Sequence, residues 1–311
     1  MSQGFGRVAL ISGGARGIVA ATARRLATDG WDISFNQNEE RAAIETEQAA
    51  SELGARVLAV RADLTAAAEV TAWARRAEED LGPVQAVVSC AGITRDRPLA
   101  LLTDADWRAV TDTGLDGVFH LCRAVLPAMM ERQSGRIVAV SSISAVYGHA
   151  TVDAARAGIA GFIRALASQT RRHGIRANAV TPAAHAGRTD MTSIWPQGTT
   201  APLTEAIALR RFASAAEAAD RVAFLLSDAT ADITGTVVEV PGGISVTMAG
   251  LGLSKSGPAE NQTRSNGSAK RNVPRTSGRY PVSTRTWKCG CHSATGGAIW
   301  YSPPSRNPNR P

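Results

Sequence analysis

Residues 1–248 are predicted to form an α/β fold, a doubly wound parallel sheet, and residues 249–311 a basic extension. Three observations predict this. Short β-branched runs recur at 8–11, 32–35, 57–60, 86–88, 137–140, 175–180 and 237–240. Longer stretches rich in Ala, Leu, Arg and Glu, with apolar positions at helical spacing, separate most of them. Periodic patterning fades after Gly242-Gly243, where Ser, Gly, Pro, Asn and Arg take over. Strands joined through helices imply right-handed crossovers and a sheet covered on both faces. Ligands of such sheets lie beyond the carboxyl ends of the strands, so the loops after these runs are the places to look for chemistry.

The first run opens into Ser12-Gly13-Gly14-Ala15-Arg16-Gly17-Ile18, directly before a helix carrying Ala21 and Leu26. Glycines there let the chain turn tightly and bring amide N–H groups and a positive helix end up to a pyrophosphate, as in a Rossmann dinucleotide site. A tight strand-to-helix turn without a ligand is the plainer alternative. Val19 stands where the dinucleotide fingerprint has a third glycine, and its isopropyl group is expected to press the helix outward and weaken binding. The second run ends in Asn36-Gln37-Asn38, with no acid to accept from a ribose 2′-OH, whereas Arg16 can face a 2′-phosphate; NADP is preferred over NAD. After the third run, Asp63 can accept from the adenine amino group or serve only as a turn or helix-cap aspartate. The fourth run leads to Cys90-Ala91-Gly92-Ile93 and the fifth to Ser141-Ser142-Ile143-Ser144. A helix with Ile159, Phe162, Ile163 and Leu166 follows, then Asn178-Ala179-Val180-Thr181-Pro182, and last Ile233-Thr234-Gly235 with Gly242-Gly243.

In this order the segments from Ser12 to Ile18, Asp63-Leu64-Thr65, Cys90-Ala91-Gly92, Ser141-Ser142, Arg156-Ala157-Gly158 and Asn178 to Pro182 resemble the classical short-chain dehydrogenase/reductases. The branch most resembled is the 3-oxoacyl-acyl-carrier-protein reductases, over roughly residues 5–248. The resemblance implies hydride delivery from NADPH to a ketone. It also implies a tyrosine acid, a lysine four residues later that lowers the tyrosine pKa and holds the nicotinamide ribose, a serine that polarises the carbonyl, and a relay asparagine. Carried over by position, Ser142 is that serine, and Ser12, Gly13, Arg16, Gly17, Ile18, Asp63, Leu64, Cys90, Ala91, Gly92, Pro182 and Thr189 frame the coenzyme.

At the remaining positions the chain departs from the family. Aligning Arg156-Ala157-Gly158 with the family's Lys-Ala-Gly puts Val152 at the tyrosine and Arg156 at the lysine, and Gly114 at the relay asparagine. A count that needs no alignment agrees. All three lysines (Lys255, Lys270, Lys288) and two of the three tyrosines (Tyr280, Tyr301) lie beyond residue 248, leaving Tyr147 as the domain's single phenol. Arg156 can offer donors and positive potential but stays protonated, and Val152 offers nothing. Tyr147, nine residues before Arg156, lies off its i, i+4 face. Ser89-Cys90 replaces an asparagine pair that ties strands together, Ala183 replaces a glycine, and residues 184–188 lengthen the loop before Thr189. Coenzyme binding is expected to survive better than catalysis. Three readings follow: a working NADPH-dependent ketoreductase with an improvised acid, a silent nucleotide-binding subunit pairing with an active homologue, or a decayed gene product.

Charge adds little to this. The whole chain carries +7, but residues 249–311 hold ten Lys and Arg against Glu260 alone, a local +9, which leaves residues 1–248 at −2. The tail is read as a disordered, solvated extension; Trp287, Trp300 and Tyr301 among its arginines are the feature that a single-strand nucleic-acid platform would need. Cys289, Cys291 and His292 make an incomplete metal shell, and no metal is expected. No apolar run reaches the roughly 18–20 residues of a membrane helix, and the N-terminus lacks signal-peptide zones, so a soluble cytoplasmic protein is expected. The resemblance implies an acyl thioester or acyl carrier protein as partner, met by arginines in segments such as those of Arg132, Arg136, Arg171 and Arg172. It also implies a tetramer, homo- or hetero-oligomeric, built partly through the helix around Phe162 and through 236–246.

Overall fold

The computed structural model describes residues 6–37, 39–95, 97–141, 150–182, 204–205, 207–240 and 242. All belong to the first of two units into which the chain divides, Met1–Pro258 and Ala259–Pro311. Ser142, Tyr147, Thr189 and the tail with Cys289, Cys291 and His292 lie outside the described residues.

Every β-branched run becomes a strand: β1 (Arg7–Ser12), β2 (Trp31–Gln37), β3 (Val57–Arg61), β4 (Val84–Ser89), β5 (Gly135–Val140), β6 (Ile175–Pro182) and β7 (Val237–Val240). They form one parallel sheet in the order β3-β2-β1-β4-β5-β6-β7. Between them run α1 (Gly17–Thr28), α2 (Glu40–Ser51), α3 (Ala67–Asp80), α4 (Asp104–Thr111), α5 (Gly117–Glu131), α6 (Ala150–Thr170) and α7 (Ala215–Leu226). The winding reverses between β1 and β4, which opens a crevice beyond their carboxyl ends.

Strand residues alternate between two apolar layers, and both layers are covered, which is why the strands read as nearly continuous hydrophobic runs. Val8 and Leu10 of β1 join Trp73 of α3, Leu121 and Met129 of α5, and Ile159 and Ile163 of α6. Ala9 and Ile11 face the other way, into a layer with Val19 and Leu26 of α1, Phe35 of β2 and Val222 of α7. Burying each large aliphatic or aromatic side chain stabilises the fold by about 1.5–3 kcal/mol. Polar groups inside are satisfied in chains: the Trp73 indole N–H donates to Ser34 Oγ at 2.8 Å, and that hydroxyl donates to Leu58 O at 3.1 Å. Helix α7 starts on a capping box in which Ser214 Oγ accepts from Glu217 N–H and the Glu217 carboxylate accepts from Ser214 N–H.

Between α4 and α5 the chain passes through a π-helical turn, Asp112–Asp116, centred on Gly114. No helix among the described residues is long and apolar enough to cross a membrane.

Candidate functional site

The loop after β1 lies across the switch point. Gly13, Gly14 and Gly17 take φ of 117°, 89° and 56°, the left-handed region that glycine enters freely. A Cβ on Gly13 would stand 2.9 Å from Ala91 N and from Cys90 C, so the loop rests on the backbone after β4 at a distance only glycine allows. Cys90 N–H donates to Ser12 O at 3.0 Å, and the hydroxyls of Ser12 and Ser89 meet at 3.3 Å. Ser89 thus supplies a strand tie where the resemblance led us to expect an asparagine. The loop's Ser12 and Gly13 thus lie against Cys90 and Ala91, where the ends of β1 and β4 meet.

Two side chains that sequence reasoning passed over hold the loop in place. Asn36, buried at the end of β2, accepts from Gly13 N–H at 2.9 Å through Oδ1 and donates to Ala62 O at 3.1 Å through Nδ2. Thr46 of α2 donates to Ala15 O at 2.7 Å. The available signal for Asn36 was a polar residue at the end of a strand otherwise sealed on both faces. An acid also stands beside the crevice: Glu39, two residues past β2, pairs with Arg16 at 3.0 Å, both side chains about half exposed. Exposed pairs of this kind are worth about 0–1 kcal/mol, so a phosphate can compete for Arg16.

Val19 is buried against Ala15, Ala23 and Leu26, and α1 runs regularly from Gly17. No side chain caps the first amides of α1, and its first turn carries no acid. That leaves the positive helix end for an anion. Asp63 is exposed, and its Oδ1 accepts from Thr65 N–H (2.8 Å) and Thr65 Oγ (2.9 Å), a turn-forming role that leaves its other oxygen outward. Leu64 is buried, and its carbonyl meets His120 Nδ1 at 2.9 Å. Pro182 ends β6 opposite Val240.

The opposite end of the crevice is built differently. Val152 and Arg156 lie one turn apart on α6. Val152 is buried in an aliphatic nest with Val110 and Ala155, closed by Ile93 and Leu115. Arg156 is 7% exposed, and its Nη1 donates to Val140 O at 2.9 Å, at the carboxyl end of β5. Its Nη2 lies 2.5 Å from where a Cβ on Gly92 would stand, so the fork is laid against that backbone. Burial lowers the Arg156 pKa, with Cys90 opposing. Burial likewise pushes the Cys90 thiol up to about 12 against the pull of Arg156, so the thiol is neutral and gives the cation no counter-charge. No carboxylate pairs with Arg156 among the described residues. Gly114 is buried, and a Cβ there would meet Ala155 Cβ at an ordinary 3.7 Å.

Tested against a dinucleotide, the described residues at the two ends of this crevice differ in kind. The glycine loop and the uncapped start of α1 suit its adenosine-diphosphate end. At the far end, where Ser142 and Thr189 lie outside the described residues, α6 presents a guanidinium bonded to the carboxyl end of β5 and a valine sealed in hydrocarbon.

The arginines expected to greet a carrier protein need a correction. Arg132 donates to Val84 O at 2.8 Å and pairs with Glu78 at 3.1 Å, and Arg136 pairs with Asp228. Arg171 and Arg172 follow the C-terminal end of α6, just before β6 begins. All four stand at the amino ends of strands, away from this chain's own crevice, because helices of a doubly wound sheet run antiparallel to its strands. No group of three or more His, Cys, Asp or Glu that could hold a metal occurs among the described residues.

Comparisons with known proteins agree with this architecture. A family model described as enoyl-(acyl carrier protein) reductase matches residues 13–245. An acetoacetyl-CoA reductase of Allochromatium vinosum is 34% identical over 243 residues, covering 76% of this chain and 98% of that protein. A 3-oxoacyl-[acyl-carrier-protein] reductase of Escherichia coli is 35% identical over 243 residues, covering 77% of this chain and 97% of its own length. The crystal structure of levodione reductase superposes with a TM-score of 0.73 at 32% identity, over 77% of this chain and 98% of that one. With the strand order, the glycine loop at the switch point and matches of this extent, the chain belongs to the classical short-chain dehydrogenase/reductase family.

Proposed function

We propose that the chain is an NADP(H)-binding protein of the 3-oxoacyl-thioester reductase type that has kept nucleotide binding and lost most of the turnover. The carrying observation is the contrast across the crevice. The loop from Ser12 to Ile18 is seated by Asn36 and Thr46, whereas Val152 and Arg156, where the resemblance has a Tyr and a Lys, are turned into the interior. When bound, NADP(H) supplies the hydride. In this chain the glycine loop and the start of α1 take the diphosphate, Arg16 takes a 2′-phosphate in exchange for Glu39, and Asp63 accepts from the adenine. Ser142 is the residue proposed to polarise a ketone carbonyl, and Pro182 and Thr189 to border the nicotinamide. A guanidinium that stays protonated cannot relay a proton, and a valine cannot donate one. Loss of a positioned general acid costs roughly 10²–10⁴ in rate.

A cytoplasmic setting and an acyl thioester or acyl carrier protein as substrate are part of the same proposal. Arg95 and Arg97, which follow β4 at the crevice end, are better placed for an acidic carrier than Arg132 or Arg136. A homo- or hetero-tetramer is supported by exposed aromatic surface: Phe119 of α5 stacks edge-on to Phe162 of α6 at 6.5 Å, and Phe224 of α7 is half exposed.

The test is equilibrium titration of pure protein with NADPH, followed by coenzyme oxidation with acetoacetyl thioester. Binding with turnover roughly 10²–10⁴ below the 1–10³ s⁻¹ of ordinary enzymes is expected. Full-rate reduction would refute the impairment, and absence of NADPH binding would refute the reading as a whole.

A further inference from the structure

Arg156 occupies the place where the far half of a dinucleotide would be held. Its fork reaches from α6 to the carboxyl end of β5, with Nη1 on Val140 O at 2.9 Å, and lies flush on the Gly92 backbone after β4. A lysine at this position would end in a single nitrogen with rotating donors able to reach outward. The planar fork is rigid, and with Nη1 anchored on Val140 O its Nη2 is fixed against Gly92 rather than free to rotate toward a ribose. To swing outward as a lysine amine can, the guanidinium would have to abandon the Val140 carbonyl, and a neutral diol would give the cation no counter-charge in return. Val152, one turn earlier, adds only a sealed hydrocarbon surface.

The near half has no such conflict. Its contacts come from backbone, from glycines at positive φ, and from the start of α1. We propose that the crevice is a half-site: it binds the 2′-phosphoadenosine-diphosphate end of NADP(H) as tightly as the whole coenzyme, because Arg156 and Val152 add no hold on the nicotinamide riboside. The inference rests on the nucleotide reading above and narrows it. It makes the chain indifferent to the redox state of the coenzyme, because the atoms that change are the ones it does not grip.

The full chain is titrated calorimetrically with NADPH, NADP⁺, 2′,5′-ADP and nicotinamide mononucleotide, alongside NADPH fluorescence. Dissociation constants for the first three are expected within about threefold of one another, with no binding of the mononucleotide. Bound NADPH should emit like the free coenzyme. NADPH binding about tenfold or more tighter than 2′,5′-ADP, or a blue-shifted and enhanced emission, overturns the half-site while leaving the nucleotide reading intact. Failure of all three to bind overturns both. Arg156→Lys, checked for native circular dichroism, is expected to raise the preference for NADPH over 2′,5′-ADP by at least about fivefold. A folded variant with an unchanged preference shows that Arg156 is not what excludes the nicotinamide end.

Discussion

Replacing Asn36 by Ala removes both hydrogen bonds that tie the glycine loop to β2 and β3. Oδ1 no longer meets Gly13 N–H (2.9 Å in the native fold), and Nδ2 no longer meets Ala62 O (3.1 Å). Each buried polar group left without a partner costs about 1–3 kcal/mol, and since the two losses share one side chain, a total of about 2–4 kcal/mol is expected. In a domain of this size each kcal/mol moves Tm by about 2–4 °C, so a fall of about 4–16 °C is expected in a thermal melt. Urea unfolding should show the midpoint falling with the m-value unchanged. NADPH affinity should fall as well, by at least about fivefold, because the released loop must be ordered again on binding. Asn36→Asp separates the two bonds. It keeps an acceptor for Gly13 N–H but turns a carboxylate oxygen on Ala62 O, so it should retain affinity better than it retains stability. A Tm within about 1 °C of the parent for Asn36→Ala would refute the claim that this side chain seats the loop.

Other consequences can be checked separately. The double replacement Val152→Tyr, Arg156→Lys is expected to raise ketone reduction by less than about tenfold, far short of the ~10²–10⁴ of a positioned acid, because position 152 opens into the nest of Val110, Ala155, Ile93 and Leu115; a hundredfold gain in NADPH oxidation would show that the phenol escapes it. Cys90 and Cys122 have thiol pKa values pushed up to about 12 by burial, so peptide-mapped alkylation of the native protein at pH 8 should be slow at both and should quicken with rising pH; fast labelling at neutral pH contradicts that burial. Glu217 has a carboxyl held down at about 2 by its bond to Arg211 and by the Ser214 cap, below an ordinary value of 4.5. Its folded pKa is depressed, so its contribution to stability is present above pH 4.5 and lost as pH falls towards 2. The stability difference between the parent and Glu217→Gln should therefore shrink over that window in urea melts, and a difference independent of pH would remove Glu217 from the capping account.

Much of the fold was legible because the signal is physical and local. A strand buried on both faces must be apolar along its whole length, and 8–11 of β1 or 137–140 of β5 leave no other reading. The glycine loop was legible for the same reason, since positive φ and a 2.9 Å approach to Ala91 N restrict the residue type. What could not be read depends on direction rather than on type. Sequence places Arg156 on the helix but cannot say whether its fork turns out to a ribose or in to Val140 O. Nor could it say that Glu39 swings onto Arg16 across twenty-three residues, whereas the turn-forming alternative offered for Asp63 is visible in its bonds to Thr65. Val19, at the place of the third glycine, is a buried member of the layer that also holds Ala15, Ala23 and Leu26, a packing that the fingerprint alone does not describe.

The two ends of the crevice also differ in how much substitution they can absorb. At the diphosphate end the donors are amides and a helix terminus, which persist whatever side chains surround them provided the glycines and Asn36 hold the turn. At the nicotinamide end the chemistry resides in side-chain identity: a phenol to donate, an amine to relay, an amide to pass the proton on. Val152, Arg156 and Gly114 each change that identity while fitting the fold, as a buried aliphatic, a guanidinium anchored on Val140 O and a π-turn glycine with room beside it. Every one of these residues is compatible with the fold, and none of the three side chains is an ordinary proton donor. On the proposed reading, the transfer step can be lost without the sheet or the nucleotide loop, and because three positions differ at once, no single replacement is expected to restore it.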